Sequence, residues 1–282
     1  SIGEGRENFS GEKLSPPFPQ TPIPPLPKTF VFIESLFEGV RIIWAFKRDW
    51  RAGARGLGPS VPFSPIFSSG ATVNDLIIKI CGMREQADLD CAAALGVNLC
   101  GFIFAPQSPR AVTPEQAAAL DSGDMLRVGV FVTDDMRFIE ETARAARLDR
   151  VQLHGDQSMT CANRLSRTLG AERLIRVLWP ERYPDLAALE ETMNRHAATA
   201  GMFLLDAGMS GGGSGKRIGP GRLRGLHAPR PWLLAGGLTP ENVKETVAAC
   251  APDGVDFNSG LESEPGRKDP SRMRAALTAL RG

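Results

Sequence analysis

Cys81 closes a short β-branched run, Ile77-Ile78-Lys79-Ile80, and is followed at once by Gly82 and a helical pattern. A reactive side chain at the C-terminal end of a strand, just ahead of a strand-to-helix loop, stands where α/β barrels carry their chemistry. Taken alone, a cysteine in that place is more often a small buried hydrophobe. Asp206 ends the apolar run Phe203-Leu204-Leu205. There a carboxyl either caps the next turn or, at an apolar mouth, keeps its proton for general-acid work. Arg110, in the loop segment Ser108-Pro109-Arg110, is either a solvated charge or a bidentate clamp for a substrate carboxylate. Gly236-Gly237 and Ser259-Gly260 follow two later apolar runs, and backbone N–H groups in such turns bind anions. The Gly-Gly-Gly-Ser-Gly run at 211–215, with Gly213 and Ser214 at its centre, reads as a flexible linker or as a lid and third phosphate contact. His154 faces the mouth or orients local backbone and is given no proton-transfer role, and His196 and His227 read as surface residues.

Something must hold these groups together, and the pattern from residue 74 onward supplies it. Apolar, β-rich segments recur at 77–80, 99–104, 126–132, 150–153, 174–178, 202–205, 232–235 and 254–257. Helical stretches fall between them at 85–95, 114–120, 136–147, 160–169, 186–197 and 240–249, with a last one at 271–280. Thr113-Pro114, Thr239-Pro240 and Asp269-Pro270 each place an oxygen acceptor at N-cap and proline at N1. Thr113 with Gln116 also forms a capping box. Only the helix after the sixth strand is poorly marked, around 221–226. Eight alternating units close naturally into a (β/α)8 TIM barrel, whose last two loops are the usual phosphate cradle. A doubly wound open sheet is disfavoured because no G-x-G-x-x-G follows the first strand.

Residues 1–73 differ from this domain at 74–282. They hold ten of the 22 prolines, seven of them between Pro16 and Pro27, a composition expected to be disordered or polyproline-like. A short amphipathic helix is the one element anticipated there, within 29–46. The first of eight methionines is Met83, so the natural start is expected either upstream or at a non-AUG codon such as that of Val73, with 1–72 wholly or partly a conceptual translation of upstream sequence that the native protein does not carry. The competing expectation is a docking tail. A net charge of +1 gives no reason to expect nucleic acid or a membrane surface as partner. Five cysteines without metal-ligand spacing argue against a zinc site or a disulfide framework, and a reducing cytoplasm is expected. No run of about 18 apolar residues offers a membrane span.

From about Leu76 to its end the chain resembles phosphoribosylanthranilate isomerase. The motifs that carry the resemblance, in family order, begin with Lys79-Ile80-Cys81-Gly82, Gly101-Phe102-Ile103-Phe104 with Ser108-Pro109-Arg110, and Val151-Gln152-Leu153-His154-Gly155. Leu204-Leu205-Asp206, Gly212-Gly213-Ser214-Gly215-Lys216, and Gly254-Val255-Asp256 with Ser259-Gly260-Leu261-Glu262 complete them. The resemblance implies an Amadori rearrangement of a phosphorylated sugar–anthranilate substrate in tryptophan biosynthesis, without metal or organic cofactor, by a monomer or homodimer. It implies Cys81 as general base at C2, Asp206 as general acid at the ring oxygen, and Arg110 on the anthranilate carboxylate. A base of this kind needs its thiol pKa to fall towards neutrality. Ile218-Gly219-Pro220 stands where the family has Phe-Asp-Trp, which puts loop anchoring in question, and Asn258 stands where a small residue is common. The sister isomerase of histidine biosynthesis is disfavoured because its pattern puts aspartate where Cys81 stands. A catalytically dead phosphate-binding barrel is disfavoured by intact Cys81, Asp206 and Arg110.

Overall fold

The computed structural model describes residues 76–206 and 222–282, with the backbone of 30–37 and 40–47. Gly213, Ser214 and the Ile218-Gly219-Pro220 departure lie outside the described residues, as does most of the extension. The chain forms two units, Ser1–Pro62 and Phe63–Gly282. In the first, β1 (Phe30–Phe37) and β2 (Val40–Lys47) pair antiparallel, from Phe37 opposite Val40 to Phe30 opposite Lys47. The anticipated amphipathic helix is therefore a hairpin. Both runs are rich in Phe, Ile, Val and Trp, residues that favour a pleated strand over a helix.

In the second unit β3 (Ile77–Ile80), β4 (Leu99–Ile103), β5 (Leu126–Phe131), β6 (Arg150–Leu153), β7 (Leu174–Leu178), β8 (Met202–Asp206), β9 (Trp232–Ala235) and β10 (Gly254–Phe257) close into a parallel barrel. Around the ring the order is β10-β3-β4-β5-β6-β7-β8-β9. The covering helices are α1 (Gln86–Ala94), α2 (Pro114–Ala119), α3 (Met136–Ala145), α4 (Met159–Leu169), α5 (Leu186–His196), α6 (Val243–Cys250) and α7 (Pro270–Arg281). A short antiparallel pair, β11 (Glu262–Glu264) and β12 (Arg267–Lys268), follows β10.

The caps behave as their chemistry dictates, with one exception. Thr113 and Gln116 form the capping box, and Asp269 accepts from the N–H groups of Ser271 and Arg272. The helix expected from Pro240 begins instead at Val243, because Asn242 ties the turn: its Oδ1 accepts from Thr239 N at 2.9 Å and its Nδ2 donates to the Gly237 carbonyl at 2.9 Å. Residues 222–225 after β8 form a turn rather than the poorly marked helix.

Strand alternation sorts the side chains into two layers. Ile78, Ile80, Phe102, Phe203 and Leu205 point outward and pack under the helices. Fully burying each contributes about 1.5–3 kcal/mol, and truncating one such as Leu205→Ala would cost roughly 2–5 kcal/mol. Ile77, Leu99, Val128, Ile175, Val177, Leu204 and Leu233 fill the barrel interior. The inward parity carries a consequence for chemistry. Lys79 then Cys81 top one column, Gln152 then His154 another, Leu204 then Asp206 a third, and Asp256 then Asn258 a fourth.

Candidate active site

Cys81 leaves β3 with its N–H donated to the Phe257 carbonyl of β10 at 2.8 Å, and its sulfur lies over Gly101 of β4, where a Cβ would stand 2.8 Å from it. The turn after it needs Gly82, whose φ of +75° is one that side chains avoid. A Cβ there would also stand 2.8 Å from Asn258 Oδ1 and 3.0 Å from Arg110 Cδ. Glycine thus lets the arginine loop and the β10 loop close over the thiol.

Around Cys81 the structure gathers buried charges. Lys79, fully buried, donates to Asp256 Oδ2 at 2.7 Å. Burial pushes its ammonium down, but the Asp256 carboxylate and the Cys81 sulfur outweigh this and raise it above its ordinary value, so Lys79 and Asp256 are an ion pair. Lys268 Nζ, also buried, donates to Glu262 Oε1 at 2.9 Å and to the Asn258 carbonyl and Oδ1 at 3.2 and 3.0 Å. Asn258 therefore turns to the β3 side of the mouth, and its departure from a small residue is explained by the lysine it holds. Burial pushes the Cys81 thiol above its ordinary value, with Lys79 and Lys268 pulling it back down and Asp256 pushing it up. The expectation of a thiol lowered towards neutrality is thus corrected for the unliganded barrel, because desolvation is the largest effect.

Arg110 is brought to this cluster but does not wait with both edges open. Its Nε and Nη2 fork onto Glu262 Oε1 and Oε2 at 2.8 and 2.7 Å. Burial would push the Glu262 carboxyl up, yet the bonds from Arg110 and Lys268 hold it below its ordinary value. A guanidinium has five N–H donors, so this fork leaves the Nη1–Nη2 edge for a second carboxylate.

Asp206, buried at the end of β8, lies three strands round the ring from Cys81, with Asp256 between them. His154 Nε2 approaches Asp206 Oδ2 to 3.3 Å, close enough for an ion pair though not aligned as a hydrogen bond. Gln152 Nε2 lies 2.8 Å from His154 Nδ1, and Trp179 meets the imidazole edge-on at 5.9 Å between ring centres. Sequence reading gave His154 no proton-transfer role and passed over Gln152. The signal available was parity: residues two apart on one strand share a face. His196 is half-buried on α5 rather than at the surface, and burial beside Arg176 lowers its pKa to about 4. His227 is exposed as expected.

On the β9–β10 side the glycine turns come together. A Cβ on Gly260 would collide with the Leu238 carbonyl, so the absence of one lets the Ser259-Gly260 turn lie against the loop after β9. A small space beside the β9 turn is lined by Gly236, Gly237, Leu238, Asn242 and Thr246.

Comparison with known proteins agrees with this layout. A sequence model of the family described as N-(5'phosphoribosyl)anthranilate (PRA) isomerase matches residues 78–279. The chain is 53% identical to the N-(5'-phosphoribosyl)anthranilate isomerase of Desulfovibrio desulfuricans over 72% of this chain and 94% of that protein. It is similar to the crystal structure of phosphoribosyl anthranilate isomerase from Thermus thermophilus, at 31% identity and a TM-score of 0.62, covering 73% of this chain and 98% of the other. A crystal structure of a phosphoribosyl anthranilate isomerase in complex with reduced 1-(o-carboxyphenylamino)-1-deoxyribulose 5-phosphate matches at 27% identity and a TM-score of 0.61, over 73% of this chain and 99% of the other.

Proposed function

The chain belongs to the N-(5'-phosphoribosyl)anthranilate isomerase family, and from that premise we propose which of its residues carry the reaction. The enzyme converts N-(5-phosphoribosyl)anthranilate to 1-(2-carboxyphenylamino)-1-deoxyribulose 5-phosphate, a step of tryptophan biosynthesis. Asp206 donates a proton to the furanose ring oxygen, the C1–O bond breaks, and the anthranilate nitrogen becomes a Schiff base. Only then is the C2 proton acidic. The Cys81 thiolate removes it, the electrons move into the C1–C2 bond and the iminium nitrogen is neutralised. Ketonisation of the resulting enol and protonation at C1 give the aminoketose. Arg110 holds the anthranilate carboxylate by its Nη1–Nη2 edge while Glu262 fixes the other edge. The phosphate lies against Gly236, Gly237, Ser259 and Gly260, with Gly213 and Ser214 as further contacts.

The observation that carries this reading is the placement of thiol and carboxyl on inward columns three strands apart, with Asp256 between them. That spacing lets both flank one sugar without touching each other. The test is Asp206→Asn, which keeps side-chain volume: turnover falls by about 100-fold or more, the range for a lost acid–base group. A folded variant with wild-type turnover would remove Asp206 from the mechanism. Among the described residues no helix is long and apolar enough to cross a membrane.

A further inference from the structure

Lys79 is expensive where it stands. Its side chain is fully buried above an inner layer of Leu, Ile and Val, and taking an ammonium out of water costs several kcal/mol before pairing. A leucine or methionine would fill the same column without that cost. Arg127, the buried arginine of β5, shows what a purely structural cation does. It donates to the carbonyls of Ala146 and Leu120, each at 3.1 Å, and to that of Ala117, and it stacks on Phe102. Lys79 holds no loop in this way: it donates to Asp256, and Cys81 stands two residues further on along the same inward face of β3, where the two groups act on each other's charge.

The charges facing Cys81 from every packed element make the point sharper. From its own strand comes Lys79, from β10 Asp256, from the loop after β4 Arg110, from β11 Glu262 and from β12 Lys268. That is three cations against two carboxylates. Glu262 is shared by Arg110 and Lys268, and Asp256 is held by Lys79 through one oxygen only; its Oδ1 is buried without a hydrogen-bond partner. Asp88 stands behind Lys268 as a further carboxylate. Of the groups that act on the thiol itself, Lys79 and Lys268 favour its anion and Asp256 opposes it, and of the two lysines Lys79 shares the inward column of Cys81.

We propose that Lys79, clamped by Asp256, is the positioning residue that holds the thiolate of Cys81, so that the base of the isomerisation is a Cys81–Lys79–Asp256 chain. This rests on Cys81 being the base. Lys79 touches no substrate; it lowers the cost of forming the thiolate that burial otherwise suppresses. When Cys81 takes the C2 proton, the ammonium loses an anionic partner but keeps Asp256, so it stays charged and ready for the thiol to be deprotonated again.

The experiment separates the chain from the base. Cys81 is titrated by ultraviolet thiolate absorbance, as the difference between each protein and its own Cys81→Ser version. The proteins are the full chain and the Lys79→Met/Asp256→Asn double variant, which removes both charges and so leaves neither buried unpaired. Lys79→Met alone is the second variant. Expected in both is a thiolate that appears about one pH unit or more later, the size of effect an adjacent opposite charge produces. Turnover at neutral pH falls by about tenfold or more and recovers as pH rises, while KM stays within about threefold, the split of a group needed after binding. An unmoved titration overturns the proposal whatever turnover does. A turnover loss that no pH restores, despite a moved titration, also overturns it and makes Lys79 structural. A moved titration with wild-type turnover would instead remove Cys81 as base, and the proposal with it.

Discussion

The two sides of the barrel mouth are built from opposite materials. At β3 and β10 the thiol of Cys81 is ringed by Lys79, Lys268, Arg110, Asp256 and Glu262, all paired within 2.9 Å. At β6 and β8 the carboxyl of Asp206 meets an imidazole backed by an amide and a tryptophan. The difference suits the two roles proposed for Cys81 and Asp206. A base must become an anion in a dry place, so it needs fixed cations nearby and carboxylates to keep those cations from collapsing onto it. An acid must keep a proton until the ring oxygen takes it, and full cations beside it would strip that proton away.

The largest predicted break of this contrast is on the β8 side, where Asp206→Asn lowers kcat by about 100-fold or more while thermal unfolding stays close to that of the parent. Introducing a cation at that side should hurt by the same logic. His154→Lys places an ammonium near Asp206, and kcat is expected to fall by about tenfold or more in steady-state assays, while His154→Asn falls less.

On the charged side the expected effect is smaller and of another kind. Glu262→Gln frees the fork of Arg110 and leaves Lys268 without its carboxylate, so KM rises by about tenfold with a lesser change in kcat, and Tm drops by several degrees. The pH sign is definite. The Glu262 carboxyl lies below its ordinary value in the fold, so its stabilisation is present above that ordinary value of 4.5 and is lost as pH falls through the lower folded value. In Glu262→Gln, Tm measured against pH should lose that part of its acid fall.

Away from the mouth a titration should move stability and leave catalysis alone. His196 is held neutral by burial and Arg176, with a pKa of about 4 against an ordinary 6.5. As pH falls below 6.5 the unfolded chain takes the proton first, so stability is full above 6.5, declines towards 4 and is flat below. His196→Gln should flatten Tm over that window with unchanged kcat. The smallest effect expected is from the extension: a chain beginning at Val73 keeps turnover and Tm, and a loss of several degrees would assign 1–72 a part in the barrel's stability.

What the sequence makes legible follows from locality. Cys81 and Asp206 announce themselves because a polar residue at the end of an apolar run is a local signal, and Thr113 and Asp269 because caps act within one turn. The paired glycines of the β9 and β10 loops are equally local. Glu262 is not legible as the partner of Arg110, since 152 residues separate them and only barrel closure brings them together. Lys79 reads in the chain as the one flaw in an apolar strand; its meaning needs Asp256, 177 residues on, beside it in the neighbouring strand. The hairpin at 30–47 was obscured because charges at Glu34 and Arg41 mimic a helical polar face, whereas β-branched and aromatic neighbours decide the outcome.

The most direct test of the central claim pairs two readings on Cys81→Ser: affinity for the aminoketose product by titration, and turnover followed by anthranilate fluorescence. With Arg110, Glu262 and the glycine turns intact, product binding should stay within about threefold of the parent while kcat falls by about 100-fold or more, because a serine hydroxyl is a far weaker base than a thiolate. Unchanged kcat in the serine variant would contradict the account. Loss of product binding together with turnover would contradict it too, by making the thiol a part of the site's structure instead of its base.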